Sequence, residues 1–166
     1  MTAGFTVWVT GPDEGLLEEV AGAIAARLAA RGIPTETLDG RTPGIEALWG
    51  EGLVGRIAFV AFTLARHGVA MVVAVPADRR AERAHARTVL ERMIEVYVRP
   101  ASAVPRADYE SPERPEVEIT TPEAVGVDRT LRTLEIMKLL PPGGDTPYSE
   151  EEEREVLRRL KGFGYV

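Results

Sequence analysis

The sequence RIAFVAFTLARHGVAMVVAV, residues 56–75, contains the pattern that decides the fold. Its first half has apolar residues at helical spacing, and Gly68 stands where the C-terminal cap of a helix belongs. The second half, Val69 to Val75, is continuously hydrophobic, which is typical of a parallel strand buried on both faces. The segment therefore predicts a helix followed by a central strand, which is the repeating unit of a parallel α/β sheet.

The same alternation of short apolar runs and helical patterns continues in both directions. The predicted strands are Phe5 to Thr10, Thr35 to Leu38, Val69 to Val75, Ile94 to Val98 and Val117 to Thr120. The predicted helices are Leu16 to Arg31, Leu53 to Arg66, Asp78 to Met93 and Glu123 to Leu140. Residues 99–115 carry four prolines and predict an extended loop. The fold class predicted is α/β, a five-stranded parallel sheet with helices on both faces.

The end of the chain departs from this rhythm. Residues 141–144 read Pro-Pro-Gly-Gly, so residues 141–148 are predicted to link an α/β domain at 1–140 to a short C-terminal amphipathic helix at 149–166. Ser149 and Glu152 form a capping-box pattern at the start of that helix. The apolar stripe of the helix consists of Val156, Leu157, Leu160 and Phe163. This stripe can pack on its own domain, or it can dock to a protein partner or to a second copy.

The composition excludes several classes of function. The chain has 166 residues, a net charge of −6 and no cysteine, so thiolate catalysis, disulfides and cysteine metal sites are ruled out. Its two histidines are far apart, and no metal site is predicted. The acidic balance argues against nucleic acid as the main partner. The apolar runs are too short to span a bilayer, and no signal peptide precedes Phe5, so a cytoplasmic protein is expected.

Several sequence blocks, taken together and in order, resemble those of adenylylsulfate (APS) kinases. The blocks are GFTVWVTG at 4–11, LDG at 38–40, residues 56–75 quoted above, EVYV at 95–98 and YESPERPEVEI at 109–119. The resemblance covers most of residues 4–138. It implies the P-loop-kinase fold, whose active members transfer the γ-phosphate of ATP to the ribose 3′-hydroxyl of APS. Members of the family tend to be dimers.

The phosphate-binding loop of that family has the form GxxxxGK[ST], in which backbone N–H groups and the lysine hold the phosphates. The corresponding residues here are Gly11, Pro12, Asp13, Glu14, Gly15, Leu16, Leu17 and Glu18. Leu17 stands at the lysine and Glu18 at the Ser/Thr position, and no lysine occurs before Lys138. Pro12, Asp13 and Glu14 instead suit an ordinary, self-capped helix start. The segment therefore predicts no Mg-ATP cofactor and no catalytic residue.

The substrate side of the family pattern is also altered. Asp39-Gly40-Arg41 replaces an acidic DGD, only Arg56 remains of a basic stretch, and most of the mobile lid is missing. Arg79 and Arg80 follow the third predicted strand, where α/β folds bind ligands. Two interpretations stay open for these residues. Asp39, Arg41, Arg56, Arg79 and Arg80 can form a residual pocket for a sulfonucleotide or another anion, or the arginines can be surface residues paired with Glu51, Asp78 and Glu82.

The sequence thus favours a degenerate APS-kinase-like protein that has lost phosphotransfer. Its role would be regulatory, anion-binding or scaffolding, as a homodimer and with a possible protein partner at residues 149–166. The alternatives are an active APS kinase, which converts ATP and APS to ADP and 3′-phospho-APS (PAPS) through an atypical phosphate site with Mg-ATP, and a protein-interaction module without a ligand.

Overall fold

A computed structural model describes residues 3–101, 106–120, 124–143 and 150–165 of the chain. Its five strands are β1 (Thr6–Thr10), β2 (Thr35–Asp39), β3 (Ala70–Ala74), β4 (Met93–Val98) and β5 (Val117–Ile119). They form one sheet in the order β2-β3-β1-β4-β5, and every pairing is parallel. The sheet confirms the predicted fold class, and the hydrophobic run at 69–75 supplies β3 beside the central β1.

Helices cover the sheet on both faces. They are α1 (Glu14–Ala30), α2 (Leu53–Ala65), α3 (Arg80–Val89), α4 (Ala124–Ile136) and α5 (Glu150–Gly162), with a short 3-10 helix at Ile45–Leu48. Because side chains alternate along a strand, β1 contributes to two cores. Val7 and Val9 pack with α1 and α4 on one face, whereas Trp8 packs with α2 and α3 on the other.

The first two predicted helices end one residue earlier than the pattern suggested, and the last two end four residues earlier. The third was predicted to reach Met93 but ends at Val89, because Leu90 leaves helical geometry (φ −99°, ψ 83°) and Met93 already begins β4. Both side chains are buried in the α2/α3 core. The fourth was predicted to reach Leu140 but ends at Ile136, and Lys138 adopts a left-handed conformation (φ 59°) two residues later. The apolar residues that follow each helix continue its hydrophobic periodicity in the sequence, although they are not helical in the structure.

The C-terminal helix packs within the chain. Val156 and Leu160 of α5 are buried, and Glu153 forms an ion pair with Arg132 of α4. The predicted cap at Ser149 and most of the predicted linker at 141–148 lie outside the described residues. Of the two placements considered for the apolar stripe, the structure shows packing on α4. In the described part of the chain, no helix combines the length and apolar character needed to cross a membrane.

Candidate functional site

The connection from β1 to α1 is short and forms a simple helix start. Only Gly11, Pro12 and Asp13 separate the two elements. Asp13 is the N-cap of α1: its side-chain Oδ1 accepts the backbone N–H of Leu16 at 3.1 Å, and its carbonyl accepts the N–H of Leu17 at 3.1 Å. The helix therefore satisfies part of its own N-terminal donors, which in a phosphate-binding loop face the ligand.

Leu17, which the sequence resemblance places opposite the family's lysine, belongs to the core. Leu17 is 2% exposed and packs in the cluster between α1, α4 and the sheet. Gly11 is equally confined, since a Cβ there would lie 2.4 Å from the carbonyl oxygen of Val98 in β4. The β1–α1 connection is thus pressed against the neighbouring strand and has an apolar side chain turned inward.

The turn after β2 is closed by its own side chains. Asp39 Oδ1 accepts the backbone N–H of Arg41 at 2.8 Å, and Asp39 Oδ2 accepts the guanidinium of the same residue at 2.7 Å. Arg41 also donates to the carbonyl of Glu18 at 3.0 Å and lies 3.6 Å from its carboxylate. The hydrogen bond with Asp39 raises the pKa of Arg41 above its usual value. Asp39, Arg41 and Glu18 therefore form one local cluster that joins this turn to α1.

The other arginines predicted for an anion pocket have separate local partners. Arg56 donates to the carbonyls of Leu48 and Glu51, at 2.7–2.9 Å, and so holds the turn before α2. Arg80 donates to the carbonyl of Ser111 at 2.6 Å and pairs with a glutamate at 3.1 Å.

That glutamate is Glu113, not one of the acids named from the sequence, and Asp78 pairs with Arg106 instead. Arg79 approaches Glu82 only through its backbone N–H, at 3.4 Å. Its guanidinium has no hydrogen bond or ion pair with any described residue. Of the five predicted residues, only Asp39 and Arg41 are joined by a contact between described atoms.

Two tyrosines that the sequence analysis did not single out lie at the carboxyl edge of the sheet. Tyr97 and Tyr109 stack with ring centroids 6.2 Å apart. The hydroxyl of Tyr109 shares a hydrogen bond of 2.9 Å with Thr10, the last residue of β1. Burial raises the pKa of Tyr109 to about 12. These rings, with Pro12 and Arg106, border a cavity of about 180 Å³. Tyr109 opens the block YESPERPEVEI, so the resemblance contained a signal for it.

A buried ion-pair network beside α3 was also missed. Arg83 is 2% exposed and donates to Glu95 Oε1 at 2.9 Å. Arg87 donates to Glu116 at 2.8 Å, and Glu116 accepts the backbone N–H of Glu95 at 2.7 Å. Burial raises the pKa of Glu95 above its usual value. A glutamate inside the apolar strand IEVYV was the available signal, because such a residue needs a buried partner.

The described residues contain no group of three or more His, Cys, Asp or Glu side chains placed to hold a metal ion. The carboxyl edge of the sheet carries a capped helix start, a closed acidic turn with Arg41 and a small tyrosine-lined cavity. It also carries the guanidinium of Arg79, which has no partner among the residues that the structure describes.

Comparisons with known proteins agree with this architecture. No protein-family model matches the chain. An adenylyl-sulfate kinase of Synechococcus sp. (strain JA-2-3B'a(2-13)) is 32% identical over 151 residues, which cover 72% of this chain and 86% of that protein.

Two solved structures carry the same likeness. An APS kinase of Mycobacterium tuberculosis superposes with a TM-score of 0.65 at 25% identity over 86% of this chain and 100% of that one. A hexameric APS kinase from Thiobacillus denitrificans gives a TM-score of 0.58 at 26% identity, over 99% of this chain and 30% of that one. The sheet order and the superposition on an APS kinase define an α/β protein of the P-loop-kinase class. Within that class, the chain belongs to the adenylyl-sulfate kinase family.

Proposed function

We propose that this member of the adenylyl-sulfate kinase family does not transfer phosphate from ATP and acts as a non-catalytic protein with a regulatory, anion-binding or scaffolding role. One observation carries the proposal. At the family's lysine position, Leu17 is buried in the core, and one turn earlier Asp13 caps the helix that should receive the phosphates. The positive charge of a phosphate-binding loop is absent there, and the N–H of Leu16 is already taken by Asp13.

Electrostatics add to this argument. Asp13, Glu14 and Glu19 are exposed on the first turns of α1, and residues 1–26 contain neither lysine nor arginine. A carboxylate about 5 Å from a phosphate charge costs about 3 kcal/mol at an effective dielectric constant near 20. Arg41 contacts α1 at Glu18, but its guanidinium is already paired with Asp39 and Glu18.

The arginines near the carboxyl edge of the sheet are consistent with a site for an anion other than ATP. The guanidinium of Arg79 is exposed at the start of α3, beyond the carboxyl end of β3, with no partner among the described residues. Arg41 has 60% of its side chain exposed and could turn toward a ligand, although it would exchange one partner for another. Arg56 contributes less, because its donors are occupied by backbone carbonyls, and Arg80 is directed away toward Ser111 and Glu113. We therefore assign the residual sulfonucleotide or anion site mainly to Arg79.

The assembly state proposed is a homodimer in the cytoplasm. A relative from Thiobacillus denitrificans is described as hexameric, which supports self-association in general terms. A protein partner at residues 149–166 would have to contact the charged outer face of α5, because Val156 and Leu160 are occupied by α4.

The first prediction concerns ligand-induced stabilisation. Thermal unfolding of the whole chain should not shift with millimolar Mg-ATP, whereas APS or PAPS should raise the melting temperature. A ligand at about one hundred times its Kd adds about 2.7 kcal/mol to the free energy of unfolding, so real binding is readily seen. The APS-induced shift should disappear in Arg79→Gln and persist in Arg158→Gln, which removes an exposed arginine from α5.

A second measurement distinguishes the proposed non-catalytic protein from an active kinase. If the chain stabilises with Mg-ATP and releases ADP only when APS is present, it is a working kinase with an atypical phosphate site and the proposal is wrong. If neither nucleotide shifts the melting temperature, the anion-binding role is excluded and a scaffolding role without a ligand remains.

A further inference from the structure

A second basic site lies beside α3, away from the β1–α1 connection. The α3 groove, with a volume of about 430 Å³, has one wall on α3 and the other on residues 112–114 and the C-terminal segment. Arg80, Arg83 and Arg87 line the first wall, and their spacing of three and four residues puts them on one helix face. Arg114 and Tyr165 line the second wall. None of the altered phosphate-loop residues borders this space.

The floor of the α3 groove is electrically balanced. Arg83 is bonded to Glu95, and its other donors reach the carbonyls of Ala77 and Glu110. Arg87 is paired with the buried Glu116. Two arginines therefore meet two carboxylates, and the buried charges of the floor are compensated.

At the rim of the groove, in contrast, the positive charge of exposed arginines is not fully compensated by the described carboxylates. Arg114 is exposed and makes no ion pair or hydrogen bond with any residue that the structure describes. Arg80 pairs with Glu113, but their side chains are 50% and 73% exposed. Such a pair is weak and exchanges readily for a stronger anion. The guanidinium groups of Arg80 and Arg114 thus line the groove against one exposed carboxylate, that of Glu113, while one donor of Arg80 stays on the carbonyl of Ser111.

Tyr165 gives the groove an oriented aromatic wall. Its hydroxyl donates to Glu116 Oε1 at 2.6 Å, which fixes the ring, while 45% of the residue stays exposed. We propose that the α3 groove binds a small organic phosphate. The phosphoryl group is held between Arg80 and Arg114, and the apolar or aromatic part of the molecule lies on Tyr165. Arginine suits a phosphate dianion because its planar fork donates two parallel hydrogen bonds.

Calorimetric titration of the whole chain with phenyl phosphate tests this site. Arg114→Gln should weaken binding about tenfold or more, since a charge-assisted hydrogen bond is lost. The fold should be unaffected, because Arg114 has no partner to lose among the described residues. The matched control is Arg158→Gln on the exposed side of α5, which should bind as the unchanged chain does. Absence of saturable binding, or equal affinities of the two variants, overturns the proposal.

The role of Tyr165 has its own readout. Tyr165→Ala should reduce the affinity for phenyl phosphate to that for inorganic phosphate and leave the latter unchanged. If both ligands keep their affinities, the aromatic wall is not part of the site and the proposal is wrong in that respect. The site is independent of the function proposed above. A stabilisation by Mg-ATP that disappears in Arg114→Gln belongs to the α3 groove, whereas one that survives in this variant belongs to the carboxyl edge of the sheet.

Discussion

Leu17 contributes to the core at the position that the sequence resemblance aligns with the lysine of a phosphate-binding loop. In a phosphate-binding loop the lysine is directed toward the ligand, and the backbone curves around the phosphates. Here the leucine is turned into the cluster between α1 and the sheet, and Asp13 caps the start of the helix in the ordinary way. A single change of residue type would therefore have to reverse the direction of a side chain as well as restore its charge.

The variant Leu17→Lys tests whether the fold tolerates the missing lysine. We expect it to lower the free energy of unfolding by several kcal/mol, because an ammonium group in an apolar core has no buried counter-charge. We also expect no rescue by Mg-ATP. Chemical denaturation with and without the nucleotide measures both effects.

Leu16→Lys is the matched control, since Leu16 is only partly buried and borders the same cluster. Its cost should be much smaller than that of Leu17→Lys. Stabilisation of Leu17→Lys by Mg-ATP would show that the connection can reopen into a phosphate-binding loop, and the non-catalytic interpretation would then fail.

Individual buried charges were the hardest residues to predict. In the sequence, Arg83 lies in an arginine-rich helix, a composition typical of an exposed face. In the structure its guanidinium is enclosed by Glu95, two backbone carbonyls and the ring of Tyr109, whose centroid lies 5.3 Å away. Periodicity assigns charged residues to the solvent face by default. Only the pairing of α3 with β4 and with the loop before β5 reveals that this charge is compensated, and that pairing is a tertiary property.

The elements themselves were largely predictable, and their ends were not. Strand β3 was evident because seven consecutive apolar residues, 69–75, have no other place than the centre of a sheet. Gly68 marked the region of a helix end correctly, since it takes a positive φ angle of 85° just after α2. The ends of α3 and α4 have no such marker. Leu90 and Leu140 are buried beyond them, and periodicity cannot tell a buried residue after a helix from one within it.

The segment after α5 is attached to the sheet through Tyr165. Burial and the hydrogen bond to Glu116 raise the pKa of this tyrosine from 10 to about 12. The folded chain therefore holds the phenolic proton more tightly than the unfolded chain does. The resulting stabilisation is fully present below pH 10 and is lost as the pH rises through about 12.

We expect Tyr165→Phe to flatten the fall in stability between pH 10 and 12. Urea unfolding at a series of alkaline pH values measures this slope. Tyr109→Phe serves as a positive control, because burial also raises the pKa of Tyr109 to about 12, and its hydroxyl is bonded to Thr10 rather than to Glu116. The two variants share no hydrogen-bond partner, so their effects should add. An unchanged slope in Tyr165→Phe would contradict the hydrogen bond to Glu116.

Charge is unevenly distributed over the whole molecule. The net charge is −6, yet α1 begins with acids, α5 begins with four glutamates, and α2 contains no acidic residue at all. The arginine-lined α3 groove adds a basic region to an acidic protein. The net charge argued against nucleic acid as a partner. Two surfaces, the α3 groove and the exposed side of α2, nevertheless do not repel anions or a second copy of the chain.

The surface around α2 is where we expect the proposed homodimer to form. Phe59 is 66% exposed on α2, and Trp49, in the turn that Arg56 holds to that helix, is 44% exposed. A two-fold contact through this face brings no carboxylate of α2 against another. A stable interface needs about 800 Å² from each partner, with an aromatic anchor near its centre.

Sedimentation or light scattering should therefore give the mass of a dimer, about twice 18.1 kDa. Phe59→Ser should weaken the dimer by about tenfold or more, because an exposed aromatic anchor is removed without any loss to the core. Val125→Ser is the matched control, since Val125 is a similarly exposed apolar residue on α4, behind the opposite face of the sheet. A monomer at all concentrations would refute the homodimer. Dissociation by Val125→Ser alone would place the interface on α4, where the packing of α5 already occupies part of the surface.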